Sequence, residues 1–390
     1  MKKNIPVYKP YFDKKEIIAA TAAINLGFLG HGSLSNNFEK KVSQIIKINK
    51  NKVVAVSTGS AAIKVALKLA KVGLNDEVIT PSHNNVGVLQ AIRELGAKPV
   101  FCDVKDEDLT IDENKISSLI NKKTKAIIGI DYGAAICNFS EIEKIGRKYK
   151  LKTIHDAAHS FGSKNKFDKK FIGHECDYCT FSFDPVKTIS CIDGGAVICK
   201  NINDAKKARS MRFLGQDFNQ KLLKKNEKIY RYQVRDAGYR FHLPNLHGNI
   251  GLAQLSKFKD ISKKRKELFK FYYKNLSNLS FLKLPPKLDK GIVPFMFVIR
   301  IKAEFRAKFI KYLKKNNVDT AIHWQAGHRF NYFKKCKSRD LSITNKIVRE
   351  IVSLPFYPGL TNNEKFKIVR SINKFVNELK NIKKNFNVNR

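Results

Sequence analysis

The chain has 390 residues, 43% of them hydrophobic, which is enough to bury more than one core, so two domains are expected. Its 75 Lys and Arg against 34 Asp and Glu give a formal charge of +41, a field that would draw any polyanion. That lysine is spread along the whole chain, however, and no helix-turn-helix, zinc-finger or RNP-type signature accompanies it, so specific nucleic-acid binding is not expected.

The opening MKKNIPVYKPYF has two lysines but no apolar run behind them, and no stretch of 18 apolar residues occurs anywhere. A signal peptide and a membrane span are therefore not expected, and the cytoplasm is the default location. Seven β-rich runs follow: KVVAVST (52–58), EVITPS (77–82), KPVFCDV (98–104), AIIGIDY (126–132), KTIHDAA (152–158), CDYCTFSF (176–183) and GGAVICK (194–200). Between the first five lie helical patterns such as SAAIKVALKLAKVG, with apolar residues at 63, 66, 67 and 70 and a closing Gly73. Such alternation predicts an α/β domain with a mainly parallel seven-stranded sheet flanked by helices. Ligands of such sheets sit beyond the carboxyl ends of the strands.

The seven cysteines, at 102, 137, 176, 179, 191, 199 and 336, are odd in number and scattered, which is poor material for a disulfide framework. Cys176 and Cys179 make a C-x-x-C, but no second pair joins them and CDYCTFSF reads as a strand. Buried thiols are expected there, and no metal.

After residue 200 the pattern changes. A basic, loop-like stretch (212–241) leads into one long amphipathic helix from about 249 to 276, and LPPK (284–287) interrupts the chain. A smaller α+β segment follows, with IVPFMFVIRI as a strand, AEFRAKFIKYLKKNN as a helix and NEKFKIVRSINKFVNEL as a closing helix. The last ten or so residues read as a frayed tail. The expected division is a large domain over 1–255 and a small C-terminal domain over 256–390.

Unusual residues gather at the predicted strand ends. At the first, Gly59 and Ser60 lead straight into a helix, whose free N–H groups and positive dipole end suit a phosphate; a plain N-cap reads the same way. At the fifth, Asp156 closes a central strand, where a buried carboxylate needs a cation or a protonated ring nitrogen as partner, unless it caps the next turn. His159 lies three residues on. At the sixth, Ser182 precedes Lys187, and a lysine amine in a desolvated pocket loses proton affinity and becomes a nucleophile able to form a Schiff base with an aldehyde. A phosphate cradle, a buried carboxylate, a hydroxyl and a lysine in this order are the parts needed to hold pyridoxal 5'-phosphate.

The stretches TGSAAIKVAL, GLNDEVITPSHNNVG, LGAKPVFCDV, IHDAAHSFG and FSFDPVKTI…DGGAVI together resemble the DegT/DnrJ/EryC1/StrS sugar aminotransferase family, of the fold-type-I pyridoxal-phosphate class. The resemblance implies that Lys187 bonds the cofactor aldehyde and shuttles protons, and that Asp156 pairs with the pyridine nitrogen. It further implies that Gly59, Ser60 and Ser182 hold the phosphate and that His159 lies near the 3-hydroxyl. Two departures stand out. Asn85 occupies the position where the family often stacks an aromatic residue on the cofactor, which leaves His83 or another residue to cover the ring. Arg240 occupies the position of an Asn that the partner subunit sends to the phosphate, so it takes over that contact or reaches toward the substrate.

The resemblance also implies a homodimer with a shared active site. The reaction implied moves an amino group, usually from glutamate, to a keto sugar, commonly nucleotide-linked, as in cell-surface glycan synthesis. Lys221, with Lys224 and Lys225, and His323 are candidate substrate contacts. Two alternatives stand beside this reading: a pyridoxamine-phosphate-dependent sugar dehydratase of the same fold, and a basic cofactor-binding protein without catalysis. Lys187 speaks against the first, because such dehydratases typically carry a His there.

Overall fold

The computed structural model describes residues 4–166, 168–217 and 233–388. Two helices, α1 (Lys14–Asn25) and α2 (Ser33–Ile45), precede the sheet, and α1 opens on a capping box in which Asp13 and Glu16 satisfy each other's backbone. All seven predicted strands form: β1 (Val53–Val56), β2 (Glu77–Pro81), β3 (Lys98–Cys102), β4 (Thr124–Ile130), β5 (Lys152–Asp156), β6 (Tyr178–Ser182) and β7 (Gly195–Cys199). Between them run α3 (Gly59–Leu69), α4 (Val86–Glu94), the single turn α5 (Glu113–Ile116) and α6 (Phe139–Lys148).

The strands lie in the order β1-β7-β6-β5-β4-β2-β3. Only β7 runs antiparallel to its neighbours; every other pair is parallel. Helices cover both faces, so the strands are continuous apolar runs rather than alternating ones. Successive residues feed opposite cores: Val53 and Ala55 pack with Phe38 and Phe181, while Val54 and Val56 pack with α3 and α4.

Beyond the sheet come α7 (Ile202–Met211), a two-residue ladder of β8 (Gln216–Asp217) with β9 (Gln233–Val234), α8 (Asn245–Ser256) and α9 (Phe258–Leu276). The single helix expected over 249–276 is thus two. They meet at Lys257, whose buried amine turns back to Asp13, Glu16 and the Tyr11 carbonyl. That ion-pair cluster ties the step between α8 and α9 to the start of α1.

A second, antiparallel sheet of β10 (Leu282–Lys283), β11 (Phe297–Ile301) and β12 (Ile351–Leu354) carries α10 (Ala303–Lys315), α11 (Ser342–Ile347) and α12 (Asn362–Val388). Its core is built on Phe269, Tyr272, Phe297 and Phe309. Ile5 bridges Val318 and joins this core, so the segment around Ile5 lies beside the second sheet before the chain crosses to the first. The expected frayed tail is instead the end of α12, which runs to Val388 because neither Gly nor Pro stops it.

Candidate active site

The carboxyl ends of β5 and β6, the start of α3 and a wall from the second sheet enclose a cavity of about 550 Å³. Thr58 is the N-cap of α3, its Oγ1 accepting from the Ala61 N–H at 2.9 Å. This separates the two readings of the Gly-Ser step: the cap is Thr58, and the N–H groups of Gly59 and Ser60 have no acceptor among the described residues. They open on the cavity as two donors at the positive end of a helix dipole.

The close fit here explains two glycines. A Cβ on Gly59 would lie 2.8 Å from Ser182 Cβ, and one on Gly195 would lie 2.2 Å from the Thr58 carbonyl oxygen. The helix start is pressed onto the ends of β6 and β7, and Ser182 Oγ comes beside the two free donors.

Asp156 ends β5 and is 7% exposed. Oδ1 accepts from the Ala158 N–H at 3.1 Å, and no other described residue bonds the carboxylate. Burial pushes its pKa up to about 6, against the pull of the Ala158 N–H and the attraction of Lys187.

Lys187 follows β6 in a turn, with its own N–H on the Asp184 carbonyl at 3.0 Å. Its amine has no hydrogen-bond acceptor among the described residues and sits 4.6 Å from the centre of the Phe295 ring. Desolvation pulls its pKa down to about 8, although Asp156 and Asp184 attract the charged form. The side chain is half-buried and lines the cavity.

His159 is buried, and its Nδ1 accepts from the Gly133 N–H at 3.3 Å. Its other ring nitrogen therefore carries the proton and lines the cavity as a donor. Burial, reinforced by the charge of Lys187, holds the ring neutral.

Of the remaining predicted residues, His323 lines the cavity, with Nδ1 on Ser353 Oγ at 2.9 Å. Asn85 also lines it, but its amide oxygen is taken by the Gly87 N–H at 2.8 Å, capping α4. His83 lies behind the wall, its Nε2 accepting from the Trp324 N–H at 3.1 Å. Arg240 is exposed, bridges Phe213 through its backbone and lies outside this chain's cavity. Lys221, Lys224 and Lys225 lie outside the described residues.

Sequence reasoning missed an aromatic wall made by Tyr8, Phe295 and Trp324. It also missed what surrounds the C-x-x-C. His155 is the register partner of Cys179, and one donor atom each from His155, Cys176 and Cys179 lie within 4.8 Å of one another. The same histidine bonds Asp131 at 2.9 Å. The strand that brings the histidine is remote in sequence, so the spacing gave no sign of it.

A lysine amine, a buried carboxylate and two backbone donors on one cavity at these strand ends suit a fold-type-I pyridoxal-phosphate enzyme. The chain matches the model of the DegT/DnrJ/EryC1/StrS aminotransferase family over residues 10–373, and it belongs to that family. It is a pyridoxal-phosphate-dependent sugar aminotransferase. Among solved structures it is similar to the aminotransferase TlmJ of Streptoalloteichus hindustanus, at 24% identity and a TM-score of 0.89, covering 96% of this chain and 100% of TlmJ. PseC of Helicobacter pylori, an aminotransferase of pseudoaminic acid biosynthesis, matches at 23% identity and 0.87, again over 96% and 100%. NtdA of Bacillus subtilis, solved with pyridoxamine phosphate, matches at 25% identity and 0.82, over 93% of this chain and 82% of NtdA.

Proposed function

We propose that this enzyme moves the amino group of glutamate to a nucleotide-linked keto sugar for cell-surface glycan synthesis, working as a homodimer in the cytoplasm. The observation that carries the catalytic part is Lys187. A lysine amine without a hydrogen-bond acceptor, at the mouth of a buried carboxylate, is costly to maintain and useful only to a reaction. The cofactor, when bound, supplies an aldehyde that carries the amino group and a ring that withdraws electrons from the reacting carbon.

The chain's own residues supply the rest. Gly59 and Ser60 would donate their backbone N–H groups to the phosphate, and Ser182 would add its hydroxyl. Asp156 would keep a proton on the ring nitrogen, and the protonated nitrogen of His159 would donate to the 3-oxygen. Lys187 Nζ, depressed to about 8, would take a proton from the donor α-carbon and deliver it to the cofactor carbon that bore the aldehyde, and would reverse that transfer with the acceptor.

The dimer is supported by an exposed apolar surface in the first 29 residues. Ile17, Ile18, Ile24, Leu26, Phe28 and Leu29 are all between 42% and 67% exposed. Arg240 then serves the partner's site, where a guanidinium suits a phosphate. Seven unpaired cysteines suit a reducing compartment.

The test is the absorbance of the purified protein with pyridoxal phosphate, before and after glutamate. A visible band that is lost in Lys187→Ala, and that glutamate converts to the pyridoxamine-type band, is the expected result. Cofactor that binds without the lysine-dependent band would overturn the role given to Lys187.

A further inference from the structure

The cavity's rings are unevenly placed. On the α4 side the lining residues are Asn85, whose amide oxygen is spent on its cap, and Val88, and neither carries a ring. The aromatic groups gather instead around Lys187 in a continuous row. Tyr8 stacks on Phe295 with ring centres 5.7 Å apart and 8° between planes, and Phe295 lies 4.3 Å from His159. His159 in turn stacks on Trp324 at 5.2 Å and 25°.

Trp324 is held from behind. Its backbone N–H donates to His83 Nε2 at 3.1 Å, and the preceding carbonyl accepts from the Tyr132 hydroxyl. The Tyr132 ring meets the indole edgewise at 5.7 Å. The indole N–H has no acceptor among the described residues, and the half-buried side chain lines the cavity. What remains is an indole surface and one donor on the cavity that Lys187 also lines.

The chemistry of that surface selects its occupant. The face of an indole is the negative pole of its quadrupole and disfavours a carboxylate, so it is a poor seat for a dicarboxylate donor. A pyranose ring presents a face of C–H groups bordered by hydroxyls, which matches an apolar platform with a single N–H at its edge. We propose that Trp324 is a specificity-determining residue for the acceptor, its indole forming the platform on which the sugar ring lies. The inference rests on the keto-sugar reading above.

Trp324 is the chain's one tryptophan, so intrinsic emission reports on this platform alone. The enzyme is first converted to its pyridoxamine-phosphate form with glutamate. It is then titrated with UDP-glucose, dTDP-glucose and GDP-mannose, and in parallel with UDP, dTDP and GDP, with binding followed independently by calorimetry. The expected result is a change in emission with a nucleotide sugar that its free nucleotide does not produce.

In Trp324→Leu the sugar nucleotide's Kd should rise about tenfold, a larger change than in the glutamate conversion rate, and Trp324→Phe should recover most of it. Calorimetric binding of the sugar without any change in emission would overturn the platform and leave the transaminase reading intact. So would a Trp324→Leu defect that falls mainly on the glutamate step. Failure of glutamate to convert the wild-type cofactor would instead overturn the reading beneath it, and binding of none of the six nucleotides would overturn the acceptor class and the platform together.

Discussion

Replacing Lys187 by methionine should make the cofactor-free protein more stable, because the lysine is kept at a cost to the fold. Its ordinary pKa of 10.5 is pulled down to about 8, chiefly by desolvation. Holding a lysine charged at pH 7 under that depression would cost roughly 3 kcal/mol. The side chain is only half-buried and open to the cavity, so solvent screening leaves an expected gain of about 1–2 kcal/mol for Lys187→Met. The pH dependence follows from proton counts. Between about 8 and 10.5 the unfolded chain holds a proton on this lysine that the folded chain has released, so wild-type stability rises with pH across that window. The methionine variant lacks this rise, and its advantage should shrink from pH 8 upward and vanish above 10.5. In an Asp156→Asn background the advantage at pH 7 should be larger, because the carboxylate that attracts the ammonium is gone. Urea unfolding followed by circular dichroism at pH 7, 9 and 10.5 measures it. A variant no more stable than wild type at pH 7, or one whose advantage ignores pH, would refute the claim that burial of Lys187 is paid for in stability.

Two further perturbations test the parts around it. Gly59→Ala should raise the Kd for pyridoxal phosphate at least about tenfold, because a Cβ 2.8 Å from Ser182 Cβ must displace either the serine or the helix start; an absorbance titration that gives wild-type affinity would contradict the cradle. Asp131→Asn should destabilise the fold by about 3–5 kcal/mol at pH 6, since it strands the buried His155. Although burial alone would lower the His155 pKa, Asp131 raises it from 6.5 to about 9. The pair's stabilisation is therefore complete below 6.5 and lost as pH rises through 9, so the gap between wild type and variant should narrow over that range in urea midpoints.

The strand ends that carry the candidate cofactor site were legible because they are built from rules that act along the chain. Strands buried on both faces must be apolar runs, and all seven runs became strands. A helix start needs a cap and offers free donors, so the Thr58–Ser60 step had to be an anion site or an ordinary cap, and the structure makes Thr58 the cap. Where tertiary contacts overrode local pattern, the sequence misled. No proline interrupts 249–276, yet the chain steps between two helices at Lys257, where its buried amine pairs with Asp13 and Glu16. Likewise nothing in C-x-x-C spacing reveals that His155 faces Cys179, because strand order is not written in any one segment.

The aromatic side of the cavity was hidden for a different reason. Tyr8, Phe295 and Trp324 come from the chain's first residues and from two loops of the second sheet, and each alone reads as a core aromatic. Their meeting depends on the N-terminal segment docking beside the second sheet, as the Ile5–Val318 bridge records, and on residues 323–327 lying against the end of β2. The Gly327 N–H donates to the Ser82 carbonyl at 2.7 Å, and His83 bridges Ala326. The second sheet is thereby locked onto the strand end that leads to Asn85. This division of labour has a consequence for substitution. Changes on the cofactor side meet backbone and close packing, as at Gly59 and Gly195, and have few tolerated outcomes. Changes at Trp324 meet an open cavity on one side and a firm backing on the other. If the sugar lies on Trp324 as proposed, acceptor preference would shift there by a single side chain, while Lys187, Asp156 and the α3 donors keep their places.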